Sequence, residues 1–540
     1  MLRSMAFALL MVACAGCARV AAPTPPGHRH PWTTPHVLRF ADISEPDHLN
    51  PYLSEMDITY DLSSLIYSYL IVANDRGALI GDLATTVPTL ANGGISRDGR
   101  TYVYHLRRGV LWQDGTPFTS RDVVASWKAV VAPKNLTIYR QAYERVASID
   151  TPDDWTIVVH LRHRYPPFLS QFFAPLQEGG KPILPAHVLA HESSFNRGVL
   201  SRHPIGTGPF RFVAWHHGDR IELARFNRYF RGRPKLRRVV FQVIPDDQSI
   251  LTEMRLHHID LVVSPPAALY EAYRSLRDVV TQLVPWNAQE VLVFNMHKPG
   301  LGDLAVRLAL SNAIDYRVLI DKVSHGVGET AYNVFAPTAV GYRRLPPYRY
   351  DPDRANAILD RAGWIRGSDG IRQKGGVRLN FTLDVVSGSI NLNEIALHVQ
   401  RDLHAVGIGL AIKQYPYDTI FSPVGPLYRG NYDMAIYSTT LSWDPDAEIY
   451  YGCDQGYPHG ENFFGYCNHA FDAYERAGLR TDDPAARAHD YRAASRILHE
   501  SVAYIPLYEL RRIVVRSADL RGTRDNPTAT PWWNAWQWDI

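Results

Sequence analysis

The chain has few of the features that mark membrane-spanning, nucleic-acid-binding or metal-binding proteins. Beyond residue 13, none of its 540 residues belongs to an apolar run of the roughly 20 residues that a transmembrane helix needs. Its 57 Lys and Arg residues form no basic block, so no nucleic-acid partner is expected. Among the 22 histidines, the pairs at 216–217 and 257–258 are adjacent and lack the i, i+4 spacing of two ligands on one helix face. We expect no bound metal and no cofactor.

Cysteine is equally scarce, because only Cys453 and Cys467 of the four lie in the body of the chain. In an oxidising compartment this pair indicates a disulfide that closes a loop of roughly 15 residues and adds about 3 kcal/mol of stability. A zinc site that also uses His459 and His469 is the alternative interpretation. Its pattern, Cys-x5-His-x7-Cys-x-His, is not a standard zinc spacing. We predict the disulfide.

The first residues have the features of an export signal. Arg3 precedes an apolar segment at 5–13, and small residues then lead to Cys17, an arrangement that resembles the lipobox of bacterial lipoproteins. We predict a signal peptide at 1–17, acylation of Cys17 with Cys14 as the alternative site, and a flexible tether at 18–36. An ordinary cleaved signal, or an uncleaved anchor, is the competing interpretation. The body is then expected outside the cytoplasm, in the periplasm or on the outer face of the cell membrane, held there by a lipid.

What is present instead is a series of strand, turn and helix signals at 98–127, DGRTYVYHLRRGVLWQDGTPFTSRDVVASW. Residues 101–106 alternate between apolar and polar side chains, which predicts a half-buried strand. After a turn and a short strand, the DGTP turn at 114–117 leads to a helix that Thr119 or Ser120 can cap. Nothing in this stretch has the pattern of a nucleophile, a metal cluster or a phosphate loop.

A second set of motifs lies at 203–260, where the GTGPF turn opens a strand at 210–215. Because Pro209 removes a backbone donor and a strand follows, this turn is not predicted to bind phosphate. Farther along, 291–295 indicates a buried strand and 304–314 a helix. The segments at 379–384 and 407–414, with a helix between them, predict a βαβ unit.

Together these motifs resemble bacterial extracellular solute-binding protein family 5, the peptide and nickel receptors of ABC importers. The resemblance covers roughly residues 37–540. It implies an α/β fold of the two-lobed periplasmic-binding-protein type, with an α+β insertion in the first lobe and a hinge of two strands. We predict lobe I at 37–284 with its inserted subdomain at about 70–202, lobe II at 285–504, and a return to lobe I at 505–540.

The family resemblance also implies a function. The chain is expected to be a monomeric receptor rather than an enzyme, to capture a peptide or peptide-like solute between its lobes, and to deliver it to an ABC permease. The alternatives are an oligosaccharide or a nickel or other metal chelate as ligand. A weaker alternative is an extracytoplasmic hydrolase that uses Asp444 and Asp446, although no nucleophile–base pair or oxyanion motif accompanies these carboxylates.

Candidate ligand contacts are residues expected to face the cleft between the lobes. The helix after the first strand supplies Tyr60 and, more weakly, Asp57, since loops and helices that follow a first strand often line a cleft. Trp286 precedes the strand that contains Asn295, and both are added as candidates. No candidate is assigned a catalytic role.

The segment at 431–446, NYDMAIYSTTLSWDPD, supplies the remaining candidates: Tyr437, Trp443, Asp444 and Asp446. The two carboxylates also fit a helix-capping turn. In peptide-binding members of the family, the resemblance implies an acid just upstream of this DP turn that pairs with the peptide's α-amino group. Here that interval reads Thr-Leu-Ser-Trp and contains no acid, so Asp444 and Asp446 are the acids that remain.

Overall fold

The computed structural model describes residues 29–540, apart from 55, 138–139, 176–179, 423, 458–459 and 528–531. The predicted signal peptide, with Cys14 and Cys17, and most of the tether lie outside the described residues, as does His459. No helix in the described part of the chain is long and apolar enough to cross a membrane.

The strands follow one another along the whole length of the described chain. In chain order they are β1 (Val37–Asp42), β2 (Ile71–Ala73), β3 (Leu79–Gly81), β4 (Thr101–His105), β5 (Val146–Asp153), β6 (Thr156–Leu161), β7 (Phe210–His216), β8 (Arg220–Arg225), β9 (Arg238–Val243), β10 (Leu261–Val263), β11 (Val279–Phe294), β12 (Ile365–Arg366), β13 (Arg372–Lys374), β14 (Val377–Arg378), β15 (Asn380–Val386), β16 (Gly409–Tyr415), β17 (Met434–Thr440) and β18 (Ile505–Ser517).

The helices are mostly short, and the longest ones pack on the large sheet. They are α1 (Asp57–Ile66), α2 (Ser120–Val131), α3 (Gln141–Glu144), α4 (Phe168–Gln171), α5 (Ala186–Leu189), α6 (Asp247–Arg255), α7 (Tyr270–Arg274), α8 (Leu304–Ala313), α9 (Tyr316–Val318), α10 (Pro352–Arg361), α11 (Ile390–Ala405), α12 (Tyr417–Ile420), α13 (Glu448–Tyr451), α14 (His469–Gly478) and α15 (Pro484–Glu500).

A ten-stranded mixed sheet, in the order β16-β15-β17-β11-β18-β10-β1-β9-β8-β7, forms the centre of the molecule. Its first half (β1 and β7–β10) contains the parallel pairs of β1 with β9 and β10. Its second half (β15–β17) contains the predicted βαβ unit, because β15 and β16 pair in parallel on either side of α11. The α/β prediction is therefore confirmed.

β11 and β18 are the two strands that pass through both halves of the sheet, as a two-strand hinge requires. They pair antiparallel over most of their length, with a register shift between Pro285 and Gln289. β18 is 13 residues long, which is why it reaches both halves. The predicted lobe boundaries at 284/285 and 504/505 fall inside β11 and directly before β18, and they stay predictions.

The segment predicted as an insertion contains a separate antiparallel sheet, β4-β6-β5. Between the two turns of the 98–127 stretch, the predicted short strand is reduced to one isolated bridge that joins Leu111 to Pro117. α2 begins with the expected cap, because the Thr119 hydroxyl accepts from the Arg121 backbone N–H and the Asp122 carboxylate accepts from that of Thr119. Such a capping box satisfies backbone donors that would otherwise lack a partner.

Each half of the sheet has its own hydrophobic core. In the first half, β1 and β9 pack with the inserted segment and with the C-terminal aromatic residues, so that Trp532 lies 4.8 Å from Phe40 between ring centroids. In the second half, β11 alternates: Leu292 and Phe294 face one core, and Val291 and Val293 face the other. This alternation follows from the two-residue period of a strand.

Candidate functional site

The two sequence motifs that identify the first half of the chain hold the C-terminal end of α1 in place. The Gln113 amide donates to the backbone oxygens of Ile66 (2.9 Å) and Phe210 (2.7 Å) and accepts from the Gly206 N–H (3.0 Å). A Cβ atom at Gly206 would lie 1.9 Å from the Ile66 oxygen, and one at Gly208 would lie 2.6 Å from it. The GTGPF turn therefore needs glycine for close packing against α1.

α1 forms one wall of a cavity of about 450 Å³, which we call the hinge cavity. The cavity lies at the carboxyl ends of the parallel strands β1 and β10, where ligands bind in many open α/β sheets. Strands β11, β17 and β18 close it from the second half. The described residues that line it are Ala41, Asp42, Ile43, Ser44, Met56, Asp57, Ile58, Tyr60, Asp61, Tyr69, Pro175, Gly180, Asp247, Ile250, Val262, Val263, Ser264, Pro265, Pro266, Trp286, Thr440 and Arg512.

Three of these side chains come from one face of α1. Asp57, Tyr60 and Asp61 are separated by three and four positions, the spacing that places residues side by side on a helix. The Tyr60 hydroxyl donates to the Ser54 carbonyl over 2.8 Å, which fixes the ring at the cavity wall. The helix thus presents two carboxylates and a phenol to the same space.

The electrostatics of the cavity is dominated by carboxylates. Burial raises the pKa of Asp61 to about 7; Arg512 opposes this shift and Asp57 adds to it. Burial also raises the pKa of Asp42, partly offset by the Ser44 backbone N–H that donates to its Oδ1 over 2.8 Å. Negative charges close to one another disfavour ionisation, so a cation in the cavity would relieve both carboxylates.

The opposite wall supplies a cation and an aromatic ring. The guanidinium carbon of Arg512, on β18, lies 4.9 Å from the centroid of the Trp286 ring, within the range of a cation–π contact. The Arg512 Nε is buried and has no hydrogen-bond partner among the described residues. A buried N–H donor without a partner is unfavourable.

Of the seven predicted ligand contacts, Tyr60 and Trp286 line the hinge cavity and the other five do not. The Asn295 amide is buried and donates to the backbone oxygens of Gly430 (3.1 Å) and Tyr432 (3.3 Å), so it organises a loop. Tyr437 packs edge-on against Phe421 at 5.2 Å, within one core of the second half. Both residues have structural contacts in place of a ligand.

Trp443 and Asp446 instead join the two halves. The Trp443 indole donates to the Gly77 carbonyl over 3.2 Å and packs against the core of the first half. The Tyr165 hydroxyl donates to the Asp446 carboxylate over 3.4 Å. The other Asp446 oxygen accepts from the N–H of Glu448, the first residue of α13, whose N-cap residue is Ala447.

Asp444, one of the two candidate acids, has a partner within the protein. It is buried and forms an ion pair with Arg487, with the Arg487 Nη2 2.9 Å from its Oδ1. Burial lowers the pKa of Arg487, but Asp444 and Tyr491 together raise it by more. The charge of Asp444 is therefore neutralised by a residue of the same chain.

Cys453 and Cys467 are joined by a disulfide, with a Cα–Cα distance of 4.4 Å. His469, the histidine of the alternative zinc interpretation that the structure describes, lies with its Nδ1 3.7 Å from the Cys453 Sγ. Both sulfurs are used in the disulfide, so the pair offers no thiolate to a metal. The disulfide closes the loop that leads from α13 to α14.

Sequence reasoning missed most of the charged wall: Asp42, Asp61, Asp247 and Arg512. The signal for Asp61 was present, because it follows Asp57 at the i+4 position. The other three are the last residue of a strand, the first residue of a helix and the middle of a strand, positions that are ordinary in sequence. Their convergence depends on the pairing of β1, β10 and β18.

Comparison with known proteins gives one consistent result. Residues 84–459 match the sequence profile described as bacterial extracellular solute-binding proteins, family 5 Middle. The chain is 26% identical over 523 residues to the oligopeptide-binding protein AppA of Bacillus subtilis, covering 92% of this chain and 91% of that protein. It is 25% identical over 496 residues to the nickel-binding periplasmic protein of Escherichia coli, covering 89% and 90%.

Solved structures show the same architecture. The crystal structure of NikA from Brucella suis in complex with Fe(III)-EDTA superposes with a TM-score of 0.81, at 23% identity, over 93% of this chain and 99% of that one. The likeness extends over both halves of the central sheet and the segment inserted in the first.

Proposed function

Because the chain belongs to the bacterial extracellular solute-binding proteins of family 5, we propose that it captures a peptide or peptide-like solute between two lobes for an ABC importer. The hinge cavity is the observation that carries this proposal. It combines residues of the first half, on α1 and β1, with Trp286 and Thr440 of the second half. A ligand that contacts both halves favours the closed state, which the permease then recognises.

The remaining parts of the proposal concern organisation and location. We propose lobe I at 37–284 and 505–540, with its insertion at about 70–202, and lobe II at 285–504. The protein acts as a monomer outside the cytoplasm, and acylation of Cys17 anchors it to a membrane. The resemblance of the first residues to a lipoprotein signal supports the anchor, and the family supports the extracytoplasmic location.

A peptide-sized solute is favoured over the alternatives by the chemistry of the cavity. Its volume of about 450 Å³ lies within the range of about 300–1,000 Å³ that is usual for small-molecule sites. No histidine is among its described lining residues, which gives a metal chelate no imidazole there. The ion pair of Asp444 with Arg487 disfavours the hydrolase alternative. The relatives named for oligopeptides and for nickel show that both ligand classes occur in the family.

Thermal-shift screening tests the proposal directly. The purified protein is heated with di- to pentapeptides, oligosaccharides and nickel chelates. A ligand at about 100 times its Kd adds about 2.7 kcal/mol of stability. Trp286→Ala should abolish the shift, whereas the control Tyr350→Ala, at an exposed aromatic residue outside the cavity, should preserve it. An unchanged Kd in Trp286→Ala would remove the hinge cavity as the binding site.

A further inference from the structure

Acidic side chains outnumber basic ones in the described wall of the hinge cavity. Asp42, Asp57, Asp61 and Asp247 are the acidic residues in its described wall, and Arg512 is the basic one. None of the five forms a salt bridge with another described residue, although Arg512 is near enough to lower the pKa of Asp61. By contrast, the more deeply buried Asp82 and Asp260 are each paired with an arginine. This leaves an excess of negative charge around an open space.

Two buried aspartates elsewhere show how the fold normally treats such a group. Asp260 receives both the Nε and the Nη2 of Arg39, at 2.8 and 2.7 Å. Asp82 is held in the same way by Arg231, at 3.0 and 2.7 Å. Buried charges are paired because an uncompensated one is costly. The unpaired carboxylates around the hinge cavity therefore indicate that their partner comes from outside the chain.

Arg512 adds a second and independent requirement. Its guanidinium stacks on Trp286 at 4.9 Å, and its buried Nε lacks an acceptor among the described residues. A solute that pairs with the Arg512 N–H must offer an oxygen acceptor, such as a carboxylate or an amide carbonyl. The same solute must place a cation near α1, where Asp57 and Asp61 lie one turn apart.

We propose that the hinge cavity selects solutes that carry a positively charged group together with an oxygen acceptor, as a short peptide with a basic side chain does. This inference rests on the proposed function, because it names the class of solute that the same cavity takes. The cation lies against Asp57 and Asp61, and the acceptor receives the Arg512 Nε–H. The acids on α1 thereby supply the negative charge that is missing from the interval just before the DP turn.

The test compares matched probes that differ only in charge. Isothermal titration calorimetry measures the purified protein with lysine-, alanine- and glutamate-containing tripeptides of otherwise equal sequence. A parallel set consists of glucosamine, glucose and glucuronate. We expect affinity to fall from the cationic to the neutral to the anionic member, by at least about tenfold across a set, as loss of a charge-assisted hydrogen bond does.

Variants then assign the preference to residues. Asp61→Asn and Asp57→Asn should each reduce the preference for the lysine over the alanine tripeptide by about tenfold. Asp57 is exposed, so its variant keeps the fold even if Asp61→Asn does not. The control Asp353→Asn removes an exposed acid from the first turn of α10, as Asp57→Asn does from α1, and should leave the preference unchanged.

Each outcome decides a different point. Equal affinity across charges, or tightest binding of the anionic probes, overturns the inference and leaves the proposed receptor intact. A charge order within the sugars with no peptide binding overturns the peptide assignment and supports the inference. If none of the six probes binds, both fail. The inference would also be overturned if Ca²⁺ alone stabilised the protein and displaced the lysine tripeptide, because a metal ion would then be the partner of the carboxylates.

Discussion

Removing the charge of Asp444 should destabilise the protein without weakening ligand binding. The ion pair with Arg487 is buried, with side-chain exposures of 3% for Asp444 and 8% for Arg487, and its N–O distance is 2.9 Å. In Asp444→Asn the guanidinium keeps the Gly478 carbonyl at 3.1 Å and the Tyr491 hydroxyl at 3.2 Å, but it loses its counter-charge. Breaking such a pair costs about 3–5 kcal/mol.

The size of this effect can be separated from general damage by a double-mutant cycle. Arg487→Met should cost a similar amount, because it leaves the Asp444 carboxylate buried and unpaired. The double variant should lose clearly less than the sum of the two single losses, by about 2 kcal/mol or more, since neither charge remains. Urea-induced unfolding followed by tryptophan fluorescence gives each free energy of unfolding.

The exposed pair of Arg317 and Asp321, at 3.2 Å on one helical turn, provides a matched control. Asp321→Asn should change the free energy of unfolding by less than about 0.5 kcal/mol, as is usual for surface pairs. The reasoning is refuted if Asp444→Asn costs less than about 1 kcal/mol and weakens the binding of a ligand. Asp444 would then be a ligand-binding acid after all.

Three further predictions concern stability. Burial raises the pKa of Glu290 to about 7 from an ordinary 4.5, so the folded state gains a proton that the unfolded state lacks, and this stabilisation is lost as pH rises through 7. Glu290→Gln should therefore raise the free energy of unfolding at pH 8 by up to about 3 kcal/mol and change it little at pH 4; an equal change at both pH values in urea titrations would contradict this. Replacing Cys453 and Cys467 by serine should cost about 3 kcal/mol, given their separation of 14 residues, and a melting temperature insensitive to reductant in the parent protein would speak against it. Thr119→Ala should lower the free energy of unfolding by about 1–2 kcal/mol by removing the capping box of α2, while Thr119→Ser should retain most of that stability. Equal losses for the two variants would exclude the cap as the cause.

The fold was predictable because its signals are local. The alternation at 101–106, the βαβ unit at 379–414 and the capped start of α2 each depend on residues within one or two turns of one another. The GTGPF turn was also recognised, although the reason for its glycines, their contact with the Ile66 carbonyl, became visible only in three dimensions.

The site was much less predictable, because its walls come from distant parts of the chain. Asp42 and Arg512 line the same cavity only because β1 and β18 each pair with β10. Asp444 shows a second limit of sequence reasoning. From the sequence its carboxylate was a candidate for a ligand, since its partner Arg487 is 43 positions away and carries no signal that pairs the two. Charge alone does not distinguish an acid that binds a ligand from an acid that is already paired with a basic residue of the same chain.

The position of β18 also sets the order in which the strands of the central sheet can be joined. β18 lies between β10 and β11, so these two strands cannot be joined in one sheet until residues 505–517 have left the ribosome. Ile540 also fixes the start of β1, because the N–H of His36, the residue before that strand, donates to the Ile540 carbonyl over 2.9 Å. Such non-local pairing folds slowly and leaves strand edges uncovered until it is done. The central sheet of this protein therefore stays incomplete until residues 505–540 have taken their places, and a truncation that removes β18 should yield an aggregation-prone product.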